Sequence, residues 1–109
     1  MLPSAQARTC YEAINETSLE SLKLALYRHA VEYAKFRSQW RLLTIDQRRE
    51  IDPTRTIAHN AFIDSVNILS RNMAKQGEDN SWRATLGDDR KIIGDFACYI
   101  ALYLALESR

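Results

Sequence analysis

Glycine and proline are scarce in this chain of 109 residues, with three of the first and two of the second. So few turn formers leave long regular elements joined by few reversals, and no segment alternates in the manner of a strand. Cysteine is just as sparse. Cys10 and Cys98 can make one disulfide at most, and nothing about them resembles a secreted scaffold or a metal-binding cluster. A surplus of charge of one sign is also missing, since the formal net charge is +1. That argues against nucleic acid as a partner, because phosphate backbones are held by strongly basic surfaces.

Long apolar runs are absent too. The uncharged stretch from Phe96 to Leu106 covers eleven residues, whereas a membrane-spanning helix needs about 20. At ~1.5 Å per residue it reaches only about half-way across the hydrocarbon layer, and Asp95 and Glu107 bracket it. The opening MLPSAQARTCYEAINE has no apolar core of signal-peptide length. The expectation is a cytoplasmic protein with reduced thiols and no membrane segment. Signatures of nucleophilic catalysis are lacking as well: there is no G-x-S-x-G, no Gly-rich phosphate loop, and no histidine close in sequence to either cysteine.

What the chain does contain is apolar residues in helical order. Hydrophobic residues make up 46% and charged residues 27%, a globular balance with room for one domain over 1–109 and a core that needs no disulfide or metal. Thr17 and Glu20 form a capping box in TSLE, and Leu19, Leu22, Leu26, His29, Tyr33, Phe36, Trp40 and Leu43 follow at steps of three and four. This predicts a helix over about 18–43, with His29 buried in its stripe. Thr44 and Gln47 form a second box, opening a short helical turn to Ile51. Asp52 and Pro53 then read as cap and first residue of another helix, which turns Ile57, Ala58, Ala61, Phe62, Val66, Leu69 and Met73 inward. Gly77 ends it. A brief helical turn over 82–86 stops at Gly87, Asp88 caps the last helix, and the first sixteen residues hold a short helix from Ser4. The fold class is all-α: a bundle of about four main helices with short connecting helical turns, the C-terminal helix central.

The closing helix is apolar all round, so it must be covered all round. Its large residues predict a core face. Gly94, Ala97, Cys98, Ala101 and Ala105 gather on the other side, where a second helix can approach closely. Either the N-terminal helix or a second chain can cover that strip; the expectation is a second chain, with the strip as oligomer interface and a homodimer as the assembly.

Two sets of polar residues invite a ligand. His59 stands beside Asn60, Asp64, Asn67 and Arg71, which recur at steps of four, three and four on one helix face and can bind a polar ligand; the simpler reading is a wet surface. Asp88, Asp89 and Asp95 can be read as Mg²⁺ ligands or as caps and a core-edge acid. Lys35, Arg37, Arg41, Arg48, Arg49 and Arg55 make a locally basic region around Trp40, opposed by Asp46, Glu50 and Asp52. It reads as a solvated elbow or, with Trp40 nearby, as a contact for RNA or an acidic partner.

The segment KIIGDFACYIALYLA resembles the helix of all-α nucleoside triphosphate pyrophosphohydrolases, where a Gly-Asp pair precedes an apolar run. The resemblance implies that Asp95 binds magnesium. The family also has a glutamate three residues before that aspartate, where Ile92 stands here, and an E-x-x-E pair, which this chain lacks; Glu16 and Glu20 are four apart. YAKFRSQWRLL, AHNAFIDSVNILSRNMAKQG and LGDDRKIIGDFACYIALYLAL are similar to a family of small helical proteins of Gram-positive bacteria, a likeness that implies the fold and no activity. The expected function is a non-enzymatic protein-interaction module acting as a homo-oligomer without a cofactor. The alternative is a Mg²⁺-dependent nucleotide pyrophosphohydrolase.

Overall fold

A computed structural model describes residues 18–108, which fold into four helices and, among those residues, no strand. We number them α1 (Leu19–Trp40), α2 (Ile45–Lys75), α3 (Ser81–Leu86) and α4 (Arg90–Glu107). The all-α bundle is thus the architecture. The helix expected from Ser4, the Thr17 cap, Cys10 and Glu16 lie outside the described residues.

Helix α1 opens at Ser18, whose hydroxyl accepts the Ser21 N–H at 3.1 Å. It closes at Trp40, three residues before the expected Leu43. Arg48 Nε donates to the Trp40 carbonyl at 2.8 Å, placing a cation where a helix end has unpaired carbonyls and partial negative charge.

The reciprocal cap of Thr44 and Gln47 is present as expected, with bonds of 2.9 and 3.2 Å. The break at Asp52–Pro53 is not. One 31-residue helix runs through Pro53. Proline there removes the bond to the Arg49 carbonyl, but Arg49 and Pro53 are both exposed, so water can replace it. Asp52, instead of capping, accepts from Arg55 at 3.2 Å within the helix, while Arg48 ties the first turn of α2 back to α1. Gly77, at φ 76°, closes α2. The Glu78 N–H returns to Met73 and that of Gly77 to Ala74, the paired bonds of a left-handed helix end. Gly87 stops α3 at φ 73°. The cap of α4 is Asp89 rather than the expected Asp88: its carboxylate accepts the Lys91 N–H at 2.8 Å.

The central helix is α1, not the C-terminal one. Both α2 and α4 pack broadly on α1, whereas they approach each other closely at few points, such as the Phe62 and Phe96 rings, whose centroids are 6.0 Å apart. The inward residues are Leu26, Ala30, Tyr33 and Ala34 of α1, Ala58, Phe62, Val66 and Leu69 of α2, and Ile93, Ala97 and Ile100 of α4. Phe62 is fully enclosed, a burial that stabilises by about 1.5–3 kcal/mol. Ile57 lies on the outer side of α2 at 70% exposure, since it sits roughly half a turn from the arc centred on Phe62 and Leu69. His29 is only half-buried. The enclosed histidine is His59, 2% exposed.

Candidate functional site

Helix α4 presents two unlike faces. Inward, Gly94 allows Tyr33 and Arg37 of α1 to lie against the backbone: a Cβ at this position would sit 3.2 Å from the Tyr33 ring and 2.6 Å from Arg37 Nη1. Gly94 and Ala97 are therefore covered within the chain, which removes them from the expected oligomer strip. Cys98 and Ala101 are half-buried and Ala105 is exposed.

Outward, Ile92, Tyr99, Leu102, Tyr103 and Leu106 stand 49–65% exposed. At ~100° per residue they fall within an arc of about 100° that also holds the exposed Asp95, between Ile92 and Tyr99, so the uninterrupted apolar part of the stripe runs from Tyr99 to Leu106. The large residues of α4 thus do not form one core face as expected. Ile93 and Ile100 turn in, and these five turn out. Glu107, one turn on from Tyr103, raises the phenol's pKa through its negative charge and a hydrogen bond, keeping that hydroxyl neutral.

Two concavities flank the stripe and share Tyr99. One, of about 280 Å³, is walled by Leu26, Leu69, Met73, Trp82 and Phe96, with Lys23 on its rim. The other, of about 630 Å³, lies between α3 and α4 beside Trp82, Leu86 and Ile92. Helix α3 is short but strongly tethered. Arg83 donates to Asn67 at 2.8 Å, to the Gly87 carbonyl at 2.7 Å and to Asp88 at 3.1 Å. Asn80 reaches the buried Ser70 hydroxyl at 3.1 Å. Asp79 accepts the Ser81 N–H, which lowers its pKa. Trp82 is thereby laid near Phe96, with ring centroids 6.3 Å apart.

The three aspartates read as metal ligands do not converge. Asp88 pairs with Arg83, Asp89 caps α4, and Asp95 contacts Arg37 at 2.9 Å and Lys91 at 3.6 Å. Among the described residues no group of three or more His, Cys, Asp or Glu is placed to hold a metal ion. In the polar set on α2, Asn60, Asp64 and Arg71 are exposed, and Asn67 is engaged by Arg83. His59 turns away from them into the core. Its ring meets Tyr33 edge-on, and its Nδ1 is buried with no hydrogen-bond partner among the described residues. Burial, then the charges of Arg90, Arg55 and Arg37, lower its pKa against a backbone hydrogen bond at Arg90 that raises it. Sequence reasoning missed the Arg83 hub, whose partner Asn67 is sixteen residues away.

At the other end of α1, Arg37, Arg41 and Arg55 border a cavity of about 490 Å³ with Trp40, Ser38 and Asp95. The Arg55 guanidinium stacks 4.6 Å from the Trp40 ring centroid, and that of Arg48 lies at 5.5 Å.

Among the described residues, fold and surfaces define a small helical bundle with an exposed apolar face on α4 and an arginine-lined recess at the end of α1. Among the described residues no helix is long and apolar enough to cross a membrane. Compared with protein-family models, curated proteins and solved structures, the chain matches none.

Proposed function

We propose that the protein is a non-enzymatic interaction module that pairs with a second copy of itself through the outer face of α4. The observation that carries this reading is the stripe of Ile92, Tyr99, Leu102, Tyr103 and Leu106 on one helix, flanked by apolar concavities. An exposed apolar patch such as the run from Tyr99 to Leu106 marks an interaction surface. Twofold pairing lets the same stripe serve both partners, with side chains of one copy entering the recesses beside the other's Tyr99. The surface that supports a dimer is therefore the large-residue stripe, not the strip around Gly94 and Ala97.

Sedimentation of the full chain tests it. The wild type is expected to be a dimer at micromolar concentration, and Leu102→Glu, a change at an exposed position, a monomer with unaltered helical circular dichroism. A wild type that stays monomeric at high concentration overturns the reading.

A further inference from the structure

Besides the apolar face, the recess at the end of α1 carries a different chemistry. Arg37 and Arg41 come from the last turn of α1 and its cap, and Arg55 from the third turn of α2. Two acids answer them. Asp95 is shared between Arg37 and Lys91, and Asp52 takes Arg55. Arg41 has no carboxylate within ion-pair distance among the described residues. Arg37 Nη1 is buried and, although it lies 2.9 Å from Asp95, has no aligned hydrogen-bond acceptor among the described residues. Among the described residues, positive charge and donors thus exceed the acids and acceptors that meet them.

We propose that this recess binds the phosphate group of a small phosphomonoester. Guanidinium groups match phosphate oxygens in charge and in forked geometry. Arg55 is held flat by stacking on Trp40 and by Asp52, which takes its Nε and one Nη, while the other Nη reaches the Tyr33 hydroxyl only at 3.5 Å. It adds a fixed positive charge to the wall, and the free donors come from Arg41 and Arg37. The Trp40 carbonyl, which would repel an anion, is already taken by Arg48. At about 490 Å³ the cavity exceeds a bare phosphate and falls in the range of small-molecule pockets. Ser38 and Asp95 line it as well, and they give the organic part of the ligand a hydroxyl and a carboxylate to meet. A net charge of +1 and a single recess do not make the extended basic track that a nucleic-acid strand requires.

Isothermal titration of the full chain with ribose 5-phosphate, inorganic phosphate, ribose and a single-stranded RNA decamer tests the assignment. Ribose 5-phosphate is expected to bind one-to-one, inorganic phosphate more weakly, and ribose not at all. Arg41→Gln, at an exposed position that no core contact uses, is expected to weaken ribose 5-phosphate at least tenfold, with Arg41→Lys in between. Absence of ribose 5-phosphate binding at millimolar concentration overturns the proposal. So does binding that Arg41→Gln and Arg55→Gln leave unchanged, or RNA binding without ribose 5-phosphate binding.

Discussion

The ring of Tyr33 stands edge-on to that of His59, with centroids 4.7 Å apart and planes inclined at 76°. The edge of Tyr33 is also what a side chain at Gly94 would strike. One tyrosine on α1 therefore sets the spacing to α2 on one flank and to α4 on the other.

Gly94→Val puts a branched side chain into that spacing. The Arg37 guanidinium can swing aside, but the Tyr33 ring, wedged against His59, cannot do so freely. The variant is expected to lose about 1–3 kcal/mol of stability, the usual range for overpacking. Gly94→Ala should be nearly neutral, because the gain of ~1 kcal/mol in helix propensity offsets a milder clash. Urea denaturation of both variants checks this; an unaffected Gly94→Val would mean that α4 is not held closely to α1.

The pKa of His59 is lowered in the folded state by its burial and by Arg90, Arg55 and Arg37. The unfolded chain, with a histidine pKa near 6.5, then takes up a proton at a pH where the folded chain does not. This histidine's contribution to stability is fully present above that pKa and is lost as pH falls through the folded value. The denaturation midpoint is expected to drop between pH 7.5 and 5.5. His59→Phe keeps the contact with Tyr33 and removes the titration, so its drop should be smaller. An equal drop in both proteins would assign the effect to other groups.

Arg83→Ala removes three hydrogen bonds that fasten α3 to α2 and to the Gly87 turn. A loss of about 1–3 kcal/mol is expected, as for a partly buried charged group whose partners are left unpaired. Trp82 fluorescence should shift to longer wavelength as its ring loosens from Phe96. An unchanged emission spectrum would show that α3 is held by Trp82 alone.

Pro53 lies in the interior of α2 without ending it. Pro53→Ala restores the N–H that can bond the Arg49 carbonyl and is expected to raise stability by about 1–3 kcal/mol, within the ~3 kcal/mol cost of an interior proline. A lower melting temperature for this variant would show that the proline's geometry is needed at the elbow.

Features that depend on adjacent residues were legible in the sequence. The Thr44–Gln47 cap, the ends at Gly77 and Gly87 and the turn through Trp82 all follow from local side-chain and φ preferences. Pro53 misled because its penalty is local and falls on the exposed Arg49 carbonyl, while the turn before it is fixed to α1 by a longer-range bond, Arg48 to Trp40. Burial on α1 misled for a related reason. A stripe drawn through large residues passes over Ala30 and Ala34, which are buried because two helices crowd the same side, and it admits His29, which lies at the margin. On α4 the wheel separated large from small residues, but the seam with α1 cuts across both classes: Ile93 and Ile100 enter with Gly94 and Ala97. The basic cluster around Trp40 was visible as composition. Its convergence on one recess required the fold.

Since α1 lies between α2 and α4, the core joins along two seams, α1–α2 and α1–α4, rather than around a centre the three helices share equally. Detaching α4 uncovers one flank of α1 but leaves the α1–α2 pair joined along its length, so α4 is expected to open as its own cooperative unit in native-state hydrogen exchange. Amides of α4 should exchange through an opening of lower free energy than those from Ala58 to Leu69 on α2. A molecule that grips only the outer stripe of α4 acts on the removable unit. One that touches Arg37 and Asp95 together bridges the α1–α4 seam and should hold it closed.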